Sequence, residues 1–192
     1  MHIALCGAGG TGKGTLAKAL SAEKNWPMIS SANELIGKKL FSKAENYKEI
    51  PNQSKESFQY AILAAQMMQE EIAKKNDFIS ERSVVDYIPY ALKVGADSPW
   101  TKNYVESIVN HLKDGAYDYL IYVPVEFKPK DQDKSKWKER DSKSQSETAK
   151  AIESLLPLVQ FAAPSMHIIR VKGSVEERKR QVLNKIKQFE IH

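Results

Sequence analysis

Cysteine is almost absent from this 192-residue chain: Cys6 is its only one. An intrachain disulfide and a cysteine-based zinc site are therefore excluded, and a reducing compartment is the expectation. No apolar run approaches the roughly 20 residues that span a bilayer. The N-terminus enters a glycine-rich stretch too early to read as a secretory signal. A cytoplasmic protein with no membrane partner is the reading. Charge of one sign is not in excess either. Lys and Arg number 29 against 24 Asp and Glu, a formal +5, and so mild a basic bias suits small anionic partners without indicating nucleic acid. Internal repeats, low-complexity tails and a domain boundary are also missing. Residues 1–192 read as one domain, long enough to bury a core without staples.

What the chain does have is a bare, bent segment at its start. "GAGGTGKGT" places five glycines and Lys13 in the nine positions from Gly7 to Thr15, after the apolar run "HIAL". Glycine lets successive N–H groups curl inward into an anion-binding nest, and a helix starting at Lys13 adds its positive end. The spacing from Gly7 to Lys13 is that of the P-loop, or Walker A, with Gly14 where Ser or Thr usually follows and Thr15 one place later. Gly9, Gly10, Thr11, Gly12, Lys13, Gly14 and Thr15 are the candidate ATP-phosphate site, with Lys13 as point charge and Thr15 as a contributor to phosphate or Mg2+ binding. As a cation on a surface loop, Lys13 is expected to add little to stability.

β-type runs alternate with helical patterns along the rest. "HIALC", "WPMIS", "NDFIS", "YDYLIYVPV" and "MHIIRV" read as strands, with helices over 13–24, 32–40, 54–75, 84–94, 144–161 and 174–189. The alternation predicts an α/β fold, a five-stranded parallel sheet with helices on both faces in three layers. A stripe of Phe58, Ile62, Ala65, Met68 and Ile72 predicts the buried face of the third helix. One composition shift stands out: from Glu126 to Lys143, 12 of 18 residues are charged, and 126–143 reads as a lid. Phosphoryl transfer spreads negative charge over oxygens that a closing lid can neutralise while excluding water. Lys134, Lys136, Lys138 and Arg140 are the candidate cations, Arg140 first for its planar fork; a solvated charged face is the plain alternative.

The N-terminal stretch "GAGGTGKGTLAKAL" with "WPMISSANEL" resembles adenylate kinases and related nucleoside monophosphate kinases over about the first 40 residues. That resemblance implies a P-loop kinase using ATP and Mg2+, with Ser31 among the acceptor contacts. It also implies an arginine early in the second helix to hold an acceptor phosphate. Ile36 stands there instead, with Lys38 and Lys39 following. "FISERSVVDYIPYAL" ends a strand in Glu81 and Arg82, at the sheet edge where open α/β sheets bind ligands. The E-R-S triplet resembles deoxynucleoside kinases, and Arg82 with Asp86 is similar to nicotinamide riboside kinase-like proteins. By these resemblances Glu81 serves the acceptor hydroxyl or the magnesium shell, Arg82 the transferring phosphate, and Asp86 the substrate. A surface ion pair for Glu81 and Arg82, and helix capping for Asp86, are the alternatives.

"FQYA" resembles the base-reading helix of deoxynucleoside kinases, which makes Gln59 a candidate base contact. Trp26 reads either as pocket lining or as core. "VKGSVEERKR" carries Ser174 and Glu177 at capping-box spacing, and by resemblance to adenylate kinase-like ends Lys172, Gly173 and Ser174 touch the ATP base through their backbone, while Arg178 to Arg180 face solvent. The expected activity is transfer of the ATP γ-phosphoryl group to a small nucleoside or nucleotide, oligomeric state open, a homodimer included. A 5'-hydroxyl polynucleotide kinase would use the same loop but lacks a long aromatic and basic stripe; a regulatory ATPase without an acceptor is the other alternative.

Overall fold

The structure is a computed structural model that describes residues 1–31, 33–40, 50–126 and 142–190. Five strands form one sheet: β1 (His2–Cys6), β2 (Met28–Ile29), β3 (Phe78–Ser80), β4 (Tyr119–Tyr122) and β5 (His167–Arg170). Their order is β2-β3-β1-β4-β5, and every pairing is parallel, with Ala4 beside Ser80 and Cys6 beside Tyr122. All five expected strands are present, the first over its full expected length and the other four shortened at their ends.

Alternation along β1 explains the two faces of the sheet. Ile3 and Leu5 point to one side and pack with Leu16, Ala17 and Leu20 of α1 (Lys13–Lys24) and Val182 and Ile186 of α7 (Val175–Glu190). Ala4 and Cys6 point to the other. There they meet α3 (Asn52–Ala73), a 3-10 turn over Val84–Tyr87, α4 (Ile88–Gly95), α5 (Pro99–Lys113) and α6 (Ser142–Ala162). The short α2 (Asn33–Leu40) contributes Ile36 to the same cluster. The result is the expected three-layer arrangement.

Three differences have physical causes. Helix α5 was not among the expected helices; it starts on Ser98, whose hydroxyl accepts from Thr101 N–H, with Pro99 in its first turn. The expected 84–94 helix is broken into a 3-10 turn and α4, because the tight turn carries four successive buried residues, Val84 to Tyr87. On α3, Phe58 and Ile62 are buried as expected, but Met68 and Ile72 are 62% and 71% exposed. Gln66 and Glu70 occupy the inner face instead, since a polar network awaits them there. Gln66 donates to Glu70 and to Ser80 Oγ at 2.9 Å, Tyr87 OH donates to Gln66, and Tyr117 OH donates to Glu70.

β1 and β4 are neighbours, while α1 leaves β1 toward one face and α6 follows β4 on the other. Such a reversal opens a crevice at the carboxyl ends of the strands. Among the described residues no helix is long and apolar enough to cross a membrane. Residues 127–141, which hold Lys134, Lys136, Lys138 and Arg140, lie outside the described residues.

Candidate active site

The 7–15 loop opens from β1 into that crevice and closes on the first turn of α1. Gly7, Gly10 and Gly12 have φ of 143°, 78° and 89°, values that favour glycine. At Gly7 a side chain would also run into the carbonyl of Val123, the residue after β4. Gly12 precedes α1 in the left-handed region, and Thr11 closes the bend by donating its hydroxyl to the Ala8 carbonyl at 3.0 Å. Among the described residues, neither the Gly10 nor the Gly12 amide donates a hydrogen bond. Unpartnered N–H groups beside a helix start make an anion site.

Lys13 is no surface cation. It is 5% exposed, and its ammonium donates to the carbonyls of Gly7 and Ala8, the latter at 2.8 Å. Asp86 lies behind it, fully buried, with Oδ2 at 3.7 Å from Lys13 Nζ and 3.7 Å from Arg82 Nη1. Asp86 Oδ1 accepts the Gly7 N–H at 2.9 Å. Burial pushes the Asp86 carboxyl up, against the pull of Lys13, Arg82 and the Gly7 amide. The same desolvation pushes Lys13 down, with Asp86 opposing it. Arg82, 6% exposed, is pushed up on balance: desolvation works downward and is outweighed by Tyr87, Asp86, Tyr90 and Glu81. Asp86, expected as a substrate contact, thus faces inward as the joint anion of two buried cations.

Glu81 explains Gly14. A Cβ on Gly14 would stand 2.8 Å from Glu81 Oε1, so the carboxylate occupies the space that the usual serine or threonine side chain would enter. Glu81 is half-buried at the end of β3, and its other oxygen accepts the Ser31 N–H at 3.4 Å. Ser31 is therefore brought to Glu81, and its own hydroxyl has no partner among the described residues. Thr15 is exposed in the first turn of α1.

Gln59 is buried on α3, and the Tyr104 hydroxyl donates to its backbone carbonyl at 3.4 Å. Ile36 is half-buried and packs against the core. Trp26 packs on the α1 and α7 side, with the Lys24 ammonium over its ring. The capping box is present: Ser174 N–H donates to Glu177 Oε2 at 2.7 Å, and Glu177 N–H to Ser174 Oγ at 3.3 Å. Lys172 and Gly173 donate their amides to Gln181 and Glu126. All three backbone donors assigned to the ATP base are thus bound by side chains of this chain, which a base would have to displace. Arg178, expected in solvent, is 2% exposed; the loop and Glu126 draw its head inward. Sequence reasoning also missed Gln145, whose amide reaches the Gly9 carbonyl at 2.7 Å. Neither residue has a signal in the sequence, because each lies more than 130 positions from the loop it meets.

The fold recurs in solved structures. A deoxyadenosine kinase from M. mycoides with products dCMP and dCDP is 18% identical, with a TM-score of 0.70 over 98% of this chain and all of that one. A thymidylate kinase from Candida albicans is 18% identical at 0.68, over 98% of this chain and 92% of the other. A shikimate kinase from Acinetobacter baumannii is 12% identical at 0.56, over 100% and 95%. No curated protein sequence matches. These likenesses give the chain a P-loop kinase fold. A family model described as an AAA domain matches residues 2–178, most of the chain's length, and the protein belongs to that family.

Proposed function

We propose that the protein is an ATP-dependent phosphotransferase that moves the γ-phosphoryl group to a small nucleoside or nucleotide acceptor with Mg2+. One observation carries this reading: the convergence at the head of α1 of a buried Lys13, Arg82 and Asp86 cluster with the Glu81 carboxylate against Gly14. A purely structural strand-to-helix turn has no use for two buried cations on one carboxylate, which cost desolvation energy.

The chain fits a polyphosphate. The Gly10 and Gly12 amides can donate to an oxyanion, and the Lys13 ammonium can turn from the Gly7 and Ala8 carbonyls toward it, with Asp86 Oδ2 3.7 Å from that ammonium. Mg2+ fits as well, since Glu81 and Thr15 offer hard oxygens. Among the described residues no group of three or more His, Cys, Asp or Glu could hold a metal, which suits an ion that takes most of its ligands from phosphates and water. Bound there, the ion would supply neutralisation of the charge on the transferring group. Glu81 would orient the acceptor hydroxyl and take its proton, or stand in the magnesium shell; Ser31 sits beside it for the acceptor. Arg82 neutralises developing charge, with Asp86 fixing its position, and Gln59 remains the candidate base contact. Lys172, Gly173 and Ser174 serve the base side after displacement of Glu126 and its fellows. We place 126–143, with Arg140, as the lid of this single domain.

The neighbours' names frame the acceptor class: a deoxyadenosine kinase, a thymidylate kinase, and a NadR protein solved with NAD and AMP-PNP. An ATP-coupled screen over nucleosides, their monophosphates and nicotinamide riboside tests the reading. One acceptor that raises ATP consumption well above the unstimulated rate is the expected result. Consumption indifferent to every acceptor would turn the assignment toward a regulatory ATPase. Activity on 5'-hydroxyl oligonucleotides alone, falling steeply with salt, would turn it toward a polynucleotide kinase.

A further inference from the structure

Two side chains from opposite faces of the sheet grip the outside of the phosphate loop, and no motif accounts for either. Gln145, in the first turns of α6 and 5% exposed, donates Nε2–H to the Gly9 carbonyl at 2.7 Å. Arg178, in the first turn of α7 and 2% exposed, donates Nη1–H to the Thr11 carbonyl at 2.7 Å. Its Nη2 is paired with Glu126, which also accepts the Gly173 amide.

All peptide bonds described are trans. In a trans peptide the C=O and the next N–H point in opposite directions. Pulling the Gly9 carbonyl toward α6 therefore aims the Gly10 N–H away from α6. Pulling the Thr11 carbonyl toward α7 aims the Gly12 N–H away from α7. Both amides belong to the run from Ala8 to Thr15 that has no acceptor among the described residues, whereas the Gly7 N–H is taken by Asp86. Gly12 completes the device: its φ of 89° needs glycine, and a Cβ there would come to 3.4 Å from Arg178 Nη1. Glu126 answers the guanidinium charge from the far side, so Arg178 acts on the loop as a held donor.

We propose that Gln145 and Arg178, the latter fixed by Glu126, are positioning residues that hold alternate peptides of the loop with their amides turned toward a polyphosphate. The proposal rests on the reading of the loop as a phosphate site, and its test separates the two. Amide exchange across 7–15 is followed in the ligand-free protein, and affinity for ATP and for inorganic tripolyphosphate is measured by calorimetry. The variants are Arg178→Ala, Arg178→Lys and Gln145→Met.

Arg178→Ala should speed exchange at Gly12 and weaken tripolyphosphate binding by about tenfold, the size of one lost charge-assisted hydrogen bond. Arg178→Lys should recover most of both, because an ammonium can still donate to Thr11 while facing Glu126. A role limited to packing gives no such rescue. Gln145→Met keeps the volume, removes the donor, and should act on Gly10 with a smaller loss. It also serves as the deciding variant if Arg178→Ala does not fold. Unchanged loop exchange in the alanine and methionine variants, or equal affinity in Gln145→Met, overturns the proposal. If the unaltered protein binds neither ATP nor tripolyphosphate while exchange responds to both variants, the positioning role stands and the kinase reading falls.

Discussion

Two strand-to-helix junctions stand side by side at the same edge of the sheet, and they work by opposite means. After β1 the backbone does the binding: glycines at 7, 10 and 12 take φ values that side chains oppose, and amides are left to meet a ligand. After β3, residues 81–87 contain no glycine, and side chains do the work: Glu81 reaches Gly14, and Arg82 and Asp86 are buried with Lys13. The second junction is also propped from beneath. Ser80, Tyr87 and the Val84 amide are each tied to Gln66 or Tyr117, and Glu70 joins those two with His111. A nest of amides needs freedom from side chains; a cluster of buried charges needs a rigid polar seat, since unpaired ions in low dielectric are costly.

The largest expected effect breaks the link between the junctions. Lys13→Ala should abolish ATP turnover. Contrary to the expectation for a surface cation, it should also lower stability by about 3 kcal/mol at neutral pH, because Asp86 loses a buried partner. The sign with pH follows from Asp86. Its folded carboxyl is held above its ordinary value by burial, so protonation favours the fold. That contribution is full below the ordinary value and is lost as pH rises through the raised one. The gap in thermal midpoint between variant and unaltered protein should therefore narrow on acidification. A gap that widens instead would remove the Lys13–Asp86 account.

Two glycine substitutions sharpen the contrast. Gly7→Ala sets a side chain against the Val123 backbone at a φ of 143°, and should destabilise by roughly 3 kcal/mol in a denaturant titration. Gly14→Ser restores the usual loop residue yet meets only the end of the Glu81 side chain. It should leave the thermal midpoint nearly unchanged and lower kcat by about tenfold, by moving Glu81 off its position. A kcat equal to the unaltered value would take Glu81 out of the chemistry.

The smallest effect tests the prop. Glu70→Gln keeps the shape but mismatches at least one of the donors from Gln66, Tyr117 and His111. A loss of about 1 to 2 kcal/mol in stability is expected, with KM for ATP unchanged because Lys13 is untouched. A changed KM without a change in stability would mean that the network serves the phosphate loop directly.

The sequence by itself determined the local matters. Glycine spacing, the β-run before it and the helix after it announce the loop because each is encoded within about fifteen residues of chain. The succession of strands and of the helices other than α5 likewise follows from periodicity, and the capping box at Ser174 from a three-residue spacing. Tertiary structure decided what requires long-range approach. Whether α3 buries Met68 or Glu70 depends on the donors that Ser80 and Tyr117 bring to it, and a 3.6-residue pattern carries no record of them. Why Gly14 replaces a hydroxyl is legible only once β3 lies beside β1 and sets Glu81 against it. Asp86 faces Lys13 rather than solvent because the 3-10 turn is drawn under the loop. Gln145 and Arg178 reach the loop from two faces only after β4 and β5 have been laid down. Side-chain chemistry is written locally; the partner each side chain meets is chosen by the packing of parallel strands.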